Sequence, residues 1–98
     1  MAALFGWRAR DDLREAWKYI AEESFAAADR VLDTINKEAQ LLATQPRMGR
    51  LRPELGRGIR SWPTSTSYIL FYVVKGREVI IVRALHHARD IRHIAWTK

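Results

Sequence analysis

Two periodicities divide the chain. Up to about residue 44 apolar side chains recur at helical spacing, and from about residue 59 they gather in short β-branched and aromatic runs. Ala2 to Trp7 is a short apolar run that predicts a first strand. Arg10-Asp11-Asp12 then opens a helix, with Asp11 or Asp12 as its cap and Glu15 three residues after Asp12, as in a capping box. Leu13, Trp17 and Ile20, with Ala16, form one apolar stripe, and this helix is expected to run to about Glu23. Ser24 caps a second helix. Ala27, Ala28, Val31, Leu32, Ile35, Ala39 and Leu42 give it a continuous apolar face to about Ala43, roughly 19 residues or about 28 Å long. So short a connection makes the two helices an antiparallel hairpin, and the alanines let them approach closely.

Pro46 ends the second helix because its ring clashes with the preceding turn and it has no N–H to donate. The stretch from Pro46 to Arg60 holds two prolines, three glycines, five arginines and one glutamate, which predicts a long basic loop. Ile59 to Pro63 starts a short strand that Pro63 ends or confines to an edge. Ser67 to Val74 is the strongest strand, with aromatic and β-branched residues on both faces, so both faces should be covered. Lys75-Gly76-Arg77 makes a tight turn with Gly76 supplying a positive φ, and Val79 to Leu85 pairs back antiparallel. Simple alternation along this last strand puts Val79, Ile81, Arg83 and Leu85 on one face and Ile80, Val82, Ala84 and His86 on the other. Arg89 to Ile94 is expected to form a short terminal helix with Ile91 and Ile94 turned inward, and Trp96 to pin the tail or meet a partner.

The resulting order is β-α-α-β-β-β with a short C-terminal helix. It predicts a two-layer α+β domain over residues 1–98, with the N-terminal helical hairpin packed on a small antiparallel sheet. At 48% apolar residues the chain can fill one core, and no run is long enough to span a membrane. The first residues lack the charge and length of a signal peptide, and the absence of cysteine excludes disulfides; both fit a cytoplasmic location.

Charge changes the picture more than composition does. Residues 1–44 carry six Lys/Arg against eight Asp/Glu, and residues 45–98 carry eleven against three, so the net +6 of the chain resides in its second half. Such asymmetry points to an anionic partner, a nucleic acid or an acidic protein. The cations meet the imidazoles where the last strand ends, at Arg83, His86, His87 and Arg89, closed by Asp90. A buried strand that delivers such a cluster is rigid support for polar chemistry or for a charged partner.

Specific chemistries narrow quickly. His86, His87 and His93 are the only histidines and only Asp90 stands near them, so no metal site is expected. Gly49, Gly56 and Gly58 do not follow a strand and open a helix, so no phosphate-cradling loop and no cofactor is expected. No serine has an obvious base partner for nucleophilic catalysis. RNA cleavage through the 2′-hydroxyl needs a base, an acid and cations for the developing phosphorane, and Arg60, Arg83 and His86 are the candidates for such a set.

Taken together the segments resemble the ParE family of toxins within the RelE/ParE superfamily. They are Asp12-Leu13, Trp17-Lys18-Tyr19-Ile20-Ala21-Glu22, Pro46-Arg47-Met48-Gly49-Arg50, Gly58-Ile59-Arg60-Ser61, Tyr68-Ile69-Leu70-Phe71-Tyr72 and Val82-Arg83-Ala84-Leu85-His86-His87-Ala88-Arg89-Asp90. The resemblance implies a toxin of a type II toxin–antitoxin module that inhibits DNA gyrase, is neutralised by a ParD-like antitoxin and forms a heterooligomeric complex with it. The alternative is a RelE-like ribosome-dependent mRNA interferase, in which Arg60 and Arg83 match the superfamily's sheet arginines and His86 or His87 falls near the terminal catalytic position. The loop has no lysine and no tyrosine follows His87, and both departures favour the ParE branch. Ala84 and His87 stand where the commonest family sequence has Val and Gly, which suggests a more constrained strand end.

On this resemblance no residue is catalytic. Arg83, His86, His87, Arg89 and Arg92 are expected to contact the target. An acidic, amphipathic antitoxin segment is expected to meet Leu13, Trp17, Ile20, Arg60, Trp62 and Trp96, of which Leu13, Trp17 and Ile20 also read as core.

Overall fold

A computed structural model describes residues 2–96. Its elements run β1 (Ala3–Phe5), α1 (Trp7–Ala21), α2 (Phe25–Thr44), β2 (Arg50–Leu51), β3 (Arg60–Pro63), β4 (Tyr68–Lys75) and β5 (Glu78–His86). Among the described residues the strands form one five-stranded sheet in the order β1-β5-β4-β3-β2. The helical hairpin packs on one face of it, as the periodicity requires. The sheet is mixed rather than antiparallel, because β1 lies parallel to β5 with Ala3 opposite Val79 and Phe5 opposite Ile81. A two-residue strand, β2, pairs with β3 inside the stretch expected to be loop.

The first helix starts a turn earlier than its carboxylates suggest. Gly6 ends β1 by donating its N–H to Ile81 O at 2.9 Å, and its carbonyl accepts from Arg10 N at 2.9 Å. Gly6 is therefore the N-cap, and neither Asp11 nor Asp12 caps the helix. Ala9 and Ala16 are buried, and Leu13 and Ile20 pack against the same core. The second helix begins as expected, with Ser24 Oγ accepting from Ala27 N at 3.1 Å. Its Ala28, Ile35, Ala39, Leu42 and Ala43 are buried.

Polar side chains of α2 also hold strands. Gln40 accepts from Ala3 N at 3.1 Å and donates to Ala3 O at 3.3 Å, so β1 is held on its far side by an amide in place of another strand. Glu38 accepts from the Trp62 indole at 2.9 Å, from Ser65 N at 2.9 Å and from the Ser65 hydroxyl at 2.6 Å. Partial burial opposes ionisation of Glu38, but these bonds outweigh it and set its pKa below the usual carboxylate value.

Strand β4 is covered on both faces. Tyr68, Leu70 and Tyr72 face the helices, while Phe71 and Val73 join Ile59 and Leu85 on the far side. The far side is closed by the C-terminal tail, through Ile91, Ile94 and Trp96. The Trp96 ring lies 4.8 Å from that of Phe71. The tail does this without the expected helix: residues 89 to 94 form turns, with Arg89 N bonded to His86 O at 3.0 Å and Ile94 N to Ile91 O at 3.3 Å. Six residues are too few to offset helix nucleation, and the two isoleucines reach the sheet from turns equally well.

Alternation along β5 also fails at one point. Phe71 pairs with Arg83 but Tyr72 pairs with Ile81, so Val82 is an extra residue in a β-bulge. Before the bulge Val79 and Ile81 face the helices; beyond it Ala84 does, and Leu85 has moved to the far side. Leu85 is therefore not on the face of Val79 and Ile81, and Ala84 is not on that of Ile80 and Val82, as simple alternation predicts. Gly76 turns β4 into β5 with φ +62, as expected.

Two outcomes test this arrangement. A Cβ on Gly49 would lie 2.5 Å from the Tyr72 hydroxyl and 2.9 Å from Ser61 O, so Gly49→Ala is expected to cost about 2 kcal/mol in urea unfolding. Because the folded-state pKa of Glu38 is lowered, its bonds stabilise the fold above the usual carboxylate pKa, and that stabilisation is lost as pH falls through the folded-state value. The gap in urea midpoint between the parent and Glu38→Gln should accordingly shrink on acidification, measured by circular dichroism.

Candidate functional site

Directly after the bulge, Arg83 meets Asp12 of α1. Arg83 Nε donates to Asp12 Oδ2 at 2.8 Å, Arg83 Nη2 to Oδ1 at 2.9 Å, and Ala84 N to Oδ2 at 3.0 Å. The side chains are only 12% and 9% exposed. The charge-assisted bond from Asp12 raises the Arg83 pKa further above its ordinary value, against the opposing effect of burial. Asp12 stands where a neighbouring strand's carbonyl would accept the Ala84 N–H, and it fastens helix to sheet. Expected as a target contact and as a catalytic cation, Arg83 is held in the interior by this pair. Asp12, read as a helix cap, is its partner.

Beside the pair a cleft of about 370 Å³ opens between α1 and the end of β5. Glu15, Tyr19, Tyr68, His86 and Arg89 line it. His86 meets Tyr68 edge-on with ring centres 5.4 Å apart and stacks on His87 at 4.6 Å. Its Nδ1 accepts from Ala88 N at 3.1 Å, so the imidazole folds the chain into the turn after β5. His87 adopts no positive φ, so its position does not require a glycine. Burial raises the Tyr68 pKa, with a smaller contribution from Tyr19.

The expected target contacts divide here. His86 and Arg89 line this cleft, and His87 is exposed beside it. Arg92 lies with Ile91, Ile94 and Trp96 against Arg52 and Glu54, where a separate groove forms. Asp90 does not cap a helix: it accepts from Arg92 N at 3.0 Å and pairs with the Arg92 guanidinium at 2.8 Å, which lowers the Asp90 pKa.

Arg60 belongs to a third place. Its Nη1 donates to Gly49 O at 2.8 Å and reaches Arg47 O at 3.5 Å. The Tyr72 hydroxyl accepts from Gly49 N at 2.8 Å and donates to Pro46 O at 2.7 Å. Together they pin the start of the basic loop to the sheet. Burial raises the Tyr72 pKa, partly offset by the Gly49 N–H and by Arg60. Arg60 is level with Tyr72, and Tyr72 with Ile81, roughly 15 Å along the strand from His86. Arg60, Arg83 and His86 are thus not brought together: one holds a loop, one is in a buried pair and one lines a cleft.

The residues expected to meet an antitoxin are mostly engaged within the fold. Leu13, Ile20 and Trp62 pack on the helix-side core, and Trp96 on the far side. Trp17 donates to Asp29 at 2.9 Å and stacks on Phe25 at 5.5 Å. The exposed aromatics are others: Trp7, Tyr19 and Phe25, at 55%, 69% and 70%. Trp7 carries the Arg8 guanidinium 4.6 Å over its ring. Tyr19 had a signal in the sequence, since two residues after Trp17 it falls almost opposite it on the helix.

Removing one partner of the buried pair leaves an uncompensated charge, so Asp12→Ala is expected to cost about 3 kcal/mol or more. Replacing both partners by Asp12→Leu and Arg83→Met should restore a large part of that loss. A double-mutant cycle from urea unfolding measures both, and additive single effects would contradict the coupling.

Comparison with known proteins follows this geometry. No curated protein matches the chain. A solved chain described as the chromosomal ParDE TA system from P. aeruginosa superposes with a TM-score of 0.74 at 22% identity, covering 88% of this chain and 95% of that one. At that identity the likeness shows the fold. A family model described as the ParE toxin of the type II toxin–antitoxin system parDE matches residues 4–91, from β1 through the turns after β5, and the chain belongs to the ParE toxin family.

Proposed function

We propose that this ParE-family toxin acts by binding DNA gyrase, and that a ParD-like antitoxin neutralises it in a heterooligomeric complex. The observation that carries the reading is how the basic residues are spent. Arg83 is bound to Asp12 inside the fold and Arg60 lies roughly 15 Å along the sheet from His86, so the three are not assembled around one reacting phosphate. His87 and Arg89 are exposed at the end of β5, with His86 half-buried between them and Tyr68. Exposed basic groups on a rigid strand end suit a charged macromolecular target better than they suit acid–base chemistry. Arg92, tied to Asp90 on the other side of the tail, borders this surface rather than centring it.

The antitoxin surface we propose is the outer side of the helical hairpin, where Tyr19 and Phe25 are exposed, with Trp17 beneath Phe25. Amphipathic segments that fold on binding use such aromatic anchors, and an acidic one would be steered by the basic second half. The ParDE source of the structural neighbour supports a ParD-type partner.

The deciding experiment is a supercoiling assay with purified gyrase. Inhibition is expected, and Arg89→Glu should weaken it by about tenfold, as loss of a charged contact does. No inhibition at saturating toxin would overturn the gyrase reading. The RelE-like alternative has one favourable observation, an imidazole sharing a cleft with Tyr19, Tyr68 and Arg89. It predicts codon-phased transcript cuts, mapped by primer extension, that vanish in His86→Ala.

A further inference from the structure

The cleft between α1 and the end of β5 holds polar groups that the fold itself does not use. Tyr68 is only 8% exposed, and its side chain lines the cleft. Its main chain is bonded to Thr64 and Thr66, but its hydroxyl bonds no other described residue. Burial raises its pKa, so the phenol stays protonated and remains a donor. A hydroxyl left without a partner on a buried ring calls for an explanation, and a second molecule in the cleft supplies one.

Other donors share the cleft. The Nδ1 of His86 accepts from Ala88 N at 3.1 Å, so the proton of the neutral imidazole is carried on Nε2, which can donate. Arg89 takes part in none of the ion pairs among the described residues. The two carboxylates differ. Asp12 is saturated by three bonds from Arg83 and Ala84. Glu15 has only a 3.9 Å contact with Lys18, both side chains being exposed. Tyr19 follows Glu15 by four residues, so its ring and that carboxylate lie one above the other on the same side of α1. The volume of about 370 Å³ falls within the range of small-molecule sites, about 300–1,000 Å³.

We propose that this cleft binds a guanine mononucleotide. The phosphate accepts from Arg89, His86 Nε2 and the Tyr68 hydroxyl, three donors suited to a dianion. The base stacks on Tyr19, as unpaired bases do on aromatic rings. Glu15 then accepts from the two adjacent N–H groups on the Watson–Crick edge of guanine. Adenine offers an acceptor in place of one of them, and an ionised carboxylate has nothing to donate to it. Inorganic phosphate would leave Glu15 and Tyr19 without a role, and an alkylammonium ion, suited to the rings and Glu15, would be repelled by Arg89. The proposal goes beyond the gyrase and antitoxin reading. Its test contains neither protein, so the two readings fail separately.

Equilibrium dialysis of the intact protein against radiolabelled guanosine 5′-monophosphate tests it, with unlabelled competitors. The labelled nucleotide should bind, and adenosine 5′-monophosphate, guanosine and inorganic phosphate should each compete at least about tenfold more weakly. A guanine held inside an oligonucleotide lacks the terminal phosphate and should be weaker by a similar factor. Tyr68→Phe deletes a hydroxyl that the fold does not bond, so the thermal midpoint should hold while affinity falls about tenfold. Glu15→Gln should erase the preference for guanine over adenine, since an amide pairs with either base. No binding of guanosine 5′-monophosphate, equal competition by any of the four competitors, or an affinity unchanged in Tyr68→Phe would overturn the proposal. So would a guanine preference that survives Glu15→Gln.

Discussion

The pairing of Asp12 with Arg83 is the constraint on which the arrangement of this protein turns. It joins the middle of the first helix to the last strand, 71 residues apart in sequence, through two charge-assisted bonds and a third from the Ala84 N–H. Arg83 follows directly on the bulge at Val82, whose extra residue sets Arg83 opposite Phe71. The bulge also hands the remainder of β5 to the opposite faces, so that Ala84 closes the helix-side core and Leu85 the far one. A small core gains a defined helix-to-sheet angle from one polar contact. The cost of burying the two ions is offset by the three bonds that Asp12 accepts, two of them from Arg83.

The same device recurs at a smaller scale. Gln40 holds β1, Glu38 holds the turn after β3, and Tyr72 with Arg60 holds the start of the basic loop. In each case a side chain on a rigid element satisfies main-chain groups of a segment too short or too irregular to satisfy its own. Function follows from this economy. The cations best placed by sequence for chemistry, Arg60 and Arg83, are occupied in building the fold. The groups left on the surface are the imidazole and guanidinium groups after β5, the aromatics of the hairpin and the arginines of the loop.

Much of the candidate site was legible as a neighbourhood and little of it as roles. The cluster at the end of β5 stood out because a β-branched run terminates in cations and imidazoles, and the structure does place His86, His87 and Arg89 together there. The role of Asp12 was hidden because an aspartate near a helix start is an ordinary cap, and only the long-range position of Arg83 distinguishes the two uses. Exposure of Phe25 was hidden for a related reason. An aromatic beside an apolar stripe belongs to the core or to the surface according to how the neighbouring element crosses, which the spacing of one helix does not contain.

By itself the sequence determined the order of the two helices and of four of the five strands, the hairpin of those helices, the two-sided burial of β4, the turn at Gly76 and the capping of α2 by Ser24. Each of these rests on local periodicity or on the conformational preference of single residues, and such information is carried by neighbours in the chain. Tertiary structure decided the parallel docking of β1, the earlier start of α1 at Gly6, the bulge in β5, the turns that replace a terminal helix, and the pairing of Arg83. All of these depend on which distant group satisfies a main-chain or charged atom. Such atoms must be satisfied somewhere, but their partners are chosen only when the sheet closes.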